Sequence, residues 1–336
     1  MIETATTTPA DPRPAAPVAS PAVVGLVGIG VVGERVRQRL VTLVPGVQLR
    51  LIDTRLTDPA TSLDVDGLDV VLLAHPGPHH AVARRFIQRG VPVVSVGDQM
   101  DDVRALLDLD GLARGQDVPL VVGAGMNPGL VALLTRHLVA EFASIDEVHL
   151  SFHGTAGPAC ARQHHHALAG LATNVHDGTE VTFRAGTGRQ LSWFPEPVGA
   201  YDCYRAEVTA PVIIRRAFPE VERIQARVSA NRRDRLTSRL PMLSRPHREG
   251  GVGAARVEVR GSDADGARSS RIVGIAELVG TATAATACAF VEAVLDGSVP
   301  AGVVAPGEAS LDTTRLLRSI CRLGVRLQQF TGVPNA

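Results

Sequence analysis

The chain has 336 residues, 45% hydrophobic and 20% charged, enough apolar material for two packed domains and too much for bulk disorder. Its 34 basic residues balance 34 acidic ones, which excludes a whole-molecule field suited to nucleic acid or an anionic membrane. None of the basic residues is a lysine, so Schiff-base chemistry, a P-loop lysine and a lysine general acid are excluded as well.

Residues 1–21, rich in Thr, Ala and Pro and without an apolar stretch, read as a disordered tail rather than a signal peptide. An apolar strand over 23–27 runs into Gly28-Ile29-Gly30-Val31-Val32-Gly33 and then a helical pattern over 34–43. Strands follow over 47–52, ending at Asp53, and over 69–74, before the turn His75-Pro76-Gly77-Pro78. A helix over 80–89, a strand over 91–96 ending at Gly97-Asp98, a helix over 100–112 and a strand over 118–122 continue the alternation. Apolar strands alternating with amphipathic helices predict an α/β fold, a Rossmann-type doubly wound parallel sheet over 22–128.

After a helix over 129–142 the pattern changes. Strands over 148–152, 180–183, 190–194, 256–260 and 272–276, with helices over 212–218 and 281–295, predict a second α+β domain over 129–300 with a mixed or antiparallel sheet for substrate binding and dimerisation. The arginine-rich stretch 232–253 reads as an exposed loop, and 301–336 as C-terminal helices with a return to the first domain as one arrangement. No apolar run is long enough to span a membrane. The four cysteines are far apart in sequence and form no Cys-x-x-Cys pair, which is the usage of reduced thiols in a cytoplasmic protein. Aromatic residues, at 3%, supply few stacking platforms for single-stranded nucleic acid.

The glycine run lies between a strand and a helix, with an acidic residue 20 positions after Gly33, which is the setting of a dinucleotide site. Gly28 permits the tight turn, Gly30 lets the backbone approach a pyrophosphate, and Gly33 lets helix pack on strand, while the N–H groups around Val31 and Val32 face the phosphate. Asp53 is placed to accept from the adenosine ribose hydroxyls and to repel a 2′-phosphate, so the expected cofactor is NAD or NADP with NAD favoured; the neighbouring Arg55 works against that preference. Ligands of such sheets lie beyond the carboxyl ends of the strands, so His75, Pro76, Asp98, Met126 and Asn127 are expected to line the nicotinamide crevice, with a plain helix cap as the alternative role for Asn127.

On these segments, and above all on Gly123-Ala124-Gly125-Met126-Asn127-Pro128-Gly129-Leu130, the chain resembles the saccharopine dehydrogenase-like family of NAD(P)-dependent oxidoreductases. The closing segment, 280–303, is similar to that family's last helix and turn. The resemblance implies a homodimer of Rossmann and α/β substrate domains, and hydride transfer at a carbon bonded to an amine or imine nitrogen. It implies a small or peptide-borne amino compound as substrate, with neither nucleic acid nor membrane as partner. The missing lysine and the segment Gly157-Pro158-Ala159-Cys160-Ala161-Arg162-Gln163-His164-His165-His166 depart from the family pattern and argue against saccharopine itself.

Imine reduction needs a proton donor, which makes His164, His165 and His166 the expected proton carriers. Adjacent helical residues point about 100° apart, so at most two of the three can serve one site, and no i, i+4 pair suggests a metal. The other reading of the trio is a solvated helix face. Arg162 is the expected carboxylate anchor, with a surface ion pair as its alternative. Oxidation of a C–OH group, or a non-catalytic nucleotide-binding role, are the competing functions.

Overall fold

The structure, a computed structural model, describes residues 21–52, 66–242 and 245–330. Asp53 and Arg55, and nearly all of the N-terminal tail, lie outside the described residues. The first sheet is built from β1 (Val23–Val27), α1 (Val31–Leu43), β2 (Gln48–Ile52), β3 (Val70–Leu73), α2 (His80–Ile87), β4 (Val93–Ser95), α3 (Met100–Leu107), α4 (Asp110–Gly115) and β5 (Pro119–Val122). Every strand pair in it is parallel, in the order β2-β1-β3-β4-β5 with a sixth strand at the far edge. All four residues of β3 are fully buried, because helices cover both faces of a parallel sheet and each side chain must be apolar. The chain leaves β1 for one side and returns on the other, so the topological switch point lies between β1 and β3.

The second layer follows, with α5 (Val131–Val139), β6 (Ser144–His153), α6 (Pro158–Ala167), β7 (Leu171–His176), β8 (Thr179–Arg184), β9 (Gln190–Trp193), β10 (Ala200–Arg205), α7 (Ala210–Ala217), β11 (Arg223–Ser229), α8 (Arg232–Thr237), β12 (Val252–Ser262) and β13 (Arg268–Leu278). Finally come α9 (Val279–Leu295), β14 (Gly302–Val304), α10 (Thr313–Arg322) and β15 (Gln328–Phe330). The second sheet runs β15-β13-β12-β6-β11-β10-β9, with β7 and β8 branching from β11, and it is mixed: β6 and β11 are parallel, the other pairs antiparallel. Its two faces differ by alternation. Val148, Leu150 and Phe152 are buried on the face that packs toward α5, whereas Glu147, His149, Ser151 and His153 line the other.

Several elements depart from the sequence reading. The stretch 232–253 is not all loop: Asn231 accepts from Asp234 N at 2.8 Å and caps α8, and β12 begins at Val252. The helix expected over 100–112 is two, α3 and α4, and the helix expected from 129 begins at Val131 after an irregular turn over Met126–Leu130. β7 escaped notice because Thr173 and Asn174, polar by sequence, are buried in it. Helix α9, sequence-assigned to the second domain, packs on α1, β3 and β4 as well as on β12 and β13, and β14 adds to the first sheet beside β5. Fifteen of its residues are buried, as expected of a helix apolar all round and wedged between two layers. Among the described residues no helix is long and apolar enough to cross a membrane.

Candidate active site

The turn after β1 is shaped by two close approaches and one open face. Gly28 has φ +96°, and a Cβ there would lie 2.6 Å from the Cα of His75, so only glycine lets β1 turn against the end of β3 at the switch point. A Cβ on Gly33 would lie 2.0 Å from the carbonyl oxygen of Gly28. Gly30 is different: nothing lies within 4 Å of its Cβ position. The backbone there is exposed in front of the first N–H groups of α1, which have no intrahelical acceptor. This open cradle at a helix N-terminus fits a phosphate. Val31 does not face it with its side chain; a Cβ on Gly157 would meet Val31 Cγ2 at 2.9 Å and one on Gly280 would meet Val31 Cγ1 at 3.1 Å. The first residue of α1 is therefore where the starts of α6 and α9 converge, while Val32 packs partly buried against the core.

The strand ends form one wall. His79, buried at the start of α2, donates from Nε2 to the His75 carbonyl at 2.9 Å, which fixes its neutral tautomer and leaves Nδ1 to accept from the Ser95 hydroxyl at 2.7 Å. The Asp102 carboxylate accepts from the His79 and His80 N–H groups, each at 2.8 Å, and caps α2. His75 packs its ring 4.3 Å from that of His79, and its Nδ1 is buried without a partner. Burial, followed by the His79 imidazole, pushes its pKa down to about 4. Pro76 is exposed at the rim.

Asn127 is extended, with φ −119° and ψ 122°, and caps no helix; its Oδ1 is buried and unpartnered. His75 follows β3 and Asn127 follows β5, so both unpartnered polar atoms belong to residues beyond the carboxyl ends of strands of the sheet whose β1 leads into the Gly30 turn. Met126 contributes backbone only, donating its N–H to Thr283 Oγ1 at 3.3 Å, because its side chain is buried in the core.

Asp98, just beyond β4, accepts from Gln163 Nε2 at 2.7 Å. Burial raises its carboxyl to about 6, against the lowering effect of the Gln163 hydrogen bond. The Cys160 thiol, on the same face of α6, is pushed up to about 12 by burial and by Asp98, so it carries no nucleophilic thiolate. Gln163 belongs to the segment singled out in the sequence, yet an amide does not titrate and gave no signal of its own.

The expected histidine trio separates. His165 is buried, and its Nε2 lies 3.0 Å and 3.1 Å from the carbonyls of Thr237 and Leu240; only a donor N–H satisfies both, so this residue ties α6 to the loop after α8. His166 is exposed, as is Arg162 on the same side of α6. His164 turns to the second sheet, its Nε2 3.4 Å from the Ser229 carbonyl, and burial lowers its pKa. The structure thus brings Asp98 and Gln163 together, while His165, His166 and Arg162 fall outside that contact.

No family model matches the chain, and no curated protein matches it in sequence. Solved structures do match in fold. The apo saccharopine dehydrogenase (L-Glu forming) of Saccharomyces cerevisiae superposes with a TM-score of 0.68 at 14% identity, covering 92% of this chain and 100% of that one. An engineered D-amino acid dehydrogenase bound to NADP+ gives 0.50 at 15% identity, over 88% of this chain and 96% of that one. The DAP dehydrogenase of C. glutamicum in complex with DAP gives 0.50 at 16%, over 88% and 95%. The architecture is that of the Rossmann fold, a parallel sheet joined to a mixed-sheet domain. The fold is similar to that of these three dehydrogenases.

Proposed function

We propose that the protein is an NAD(P)-dependent oxidoreductase that transfers hydride at a C–N centre of a small amino compound. The main chain of Gly28, Gly30, Val31 and Gly33 would hold the cofactor's phosphates, and His75, Pro76 and Asn127 would flank its reactive end. The chemistry a bound nicotinamide would supply there is a two-electron acceptor or donor for hydride. The chain itself handles the proton. The observation that carries this reading is the Asp98–Gln163 hydrogen bond, 2.7 Å long, which places a half-buried carboxyl titrating at about 6 between the strand ends and the second domain. Such a carboxylate accepts the N–H proton as an amine becomes an imine and gives it back in the reverse direction, near neutral pH. The role that the sequence reading assigned to the histidines of α6 therefore passes to Asp98.

Arg162, exposed one residue before Gln163, serves as the guanidinium for a substrate carboxylate, and Asp53 sets a preference for NAD over NADP. The test is a titration of the purified chain with NADH and NADPH, followed by NAD(P)+-linked oxidation of primary and secondary amino compounds. Absence of nicotinamide binding overturns the proposal. Binding without turnover on any amine, imine or alcohol favours a non-catalytic nucleotide-binding role.

A further inference from the structure

A second polar cluster adjoins this site and is used by none of the steps above. His153 ends β6, and Ser229 ends the parallel strand β11 beside it. His153 Nδ1 lies 2.8 Å from Ser229 Oγ, and the imidazole packs against the exposed ring of Tyr201 with centroids 4.1 Å apart. Among the described residues His153 Nε2 has no hydrogen-bond partner, and it is not one of the sealed polar atoms, so it stays open to a ligand. The cluster is joined to the crevice by α6. Gly157, four residues after His153, packs on Val31; Gln163 reaches Asp98, and the next residue, His164, reaches Ser229.

We propose that His153, Ser229 and the ring of Tyr201 form the subsite for the substrate's side arm and select an uncharged hydrogen-bonding arm, a hydroxyl or a carboxamide, over a carboxylate. The inference rests on the reading of the crevice as an amine oxidoreductase site. Its first support is reciprocity. If the Ser229 hydroxyl donates to Nδ1, then Nε2–H faces outward as a donor; if Nδ1–H donates to Ser229, then Nε2 faces outward as an acceptor. The pair thus adapts to either half of a hydroxyl or amide. A carboxylate half-buried there would need a fixed cation. Burial and the neighbouring His164 hold His153 below the usual imidazole range, so it is neutral near pH 7 and offers none. The face of Tyr201 supplies the apolar wall for the arm's methylenes.

The experiment uses the full chain with NAD+ and NADP+ and matched pairs of amino acids in both enantiomers: glutamine against glutamate, asparagine against aspartate. The neutral member of a pair is expected to have at least about tenfold higher kcat/KM. His153→Ala and Ser229→Ala should each shrink that preference to about threefold or less, mainly through KM, with NADH affinity unchanged. Ser229→Ala keeps the comparison available if His153→Ala does not fold. Preference for the charged member, or an unchanged preference in the folded variants, overturns the subsite and leaves the oxidoreductase reading standing. Cofactor binding with no turnover on any member overturns the subsite, and the same result extended to the wider panel of amines, imines and alcohols overturns the oxidoreductase reading too.

Discussion

Gln163 on α6 donates to Asp98 beyond β4 at 2.7 Å, one of the contacts that join the second sheet's helices to the strand ends of the first. An amide hydrogen bond favours the charged carboxylate, while burial favours the neutral acid, and burial wins. If Asp98 carries the proton, amine oxidation should rise with pH through about 6 as the carboxylate forms. Gln163→Ala removes the lowering contact and should move that midpoint to higher pH. Asp98→Asn should reduce turnover by about 10²–10⁴-fold with nicotinamide affinity intact. Steady-state pH profiles with parallel cofactor titrations measure both; a profile unmoved in both variants would assign the proton to another group.

The three glycines of the turn should separate folding from binding. Gly30→Ala meets no protein atom within 4 Å, so its melting temperature should match the parent protein. The new methyl occupies the phosphate's place, and nicotinamide affinity should fall about tenfold or more, some 1.4 kcal/mol. Gly33→Ala, with Gly28 O 2.0 Å from the new Cβ, should instead destabilise the fold itself, as should Gly28→Ala at φ +96°. Calorimetry and dinucleotide titration on the same preparations distinguish the two outcomes.

Acid should destabilise the protein before its carboxylates titrate. Burial lowers the pKa of His75 to about 4, and of His79, His149, His153 and His164 by burial first in each case. A folded pKa below the unfolded one means that the unfolded chain binds the proton first, so this stability is present above about pH 6.5 and is lost as pH falls below it, for His75 towards about 4. Asp98, raised to about 6, acts with the opposite sign, its contribution lost as pH rises from about 4 to about 6, but it is one group against five. His75→Gln should flatten the acid limb by up to about 3 kcal/mol between pH 7 and pH 4, read from denaturant unfolding at each pH.

His165 should behave as a structural residue. His165→Ala leaves the carbonyls of Thr237 and Leu240 without their shared donor and should cost about 1–3 kcal/mol. Its kcat should remain within a factor of about three, whereas a proton carrier would lose at least about a hundredfold. His166→Ala, on the exposed side of α6, should change neither quantity measurably.

The sequence by itself determined the parallel sheet and the glycine turn, because both are written in local patterns: an apolar run bounded by turns for each strand, and three glycines whose spacing matches one helix start. What it left open was direction. Three adjacent histidines look alike in a linear chain, and only the packing of α6 against β11 and the 237–240 loop directs His164 to the Ser229 carbonyl and His165 to those of Thr237 and Leu240.

Gln163 and His153 lie in the stretch 153–166, but their partners do not show in a linear chain: an amide has no titration to notice, and Ser229 lies 76 residues from His153 on a neighbouring strand. The return of α9 and β14 to the first sheet was likewise a tertiary decision. An all-apolar helix carries no sequence mark of which layer it will cover, and here it covers both, because its small Ala, Gly and Thr residues let α1 and the two sheets approach it from opposite sides.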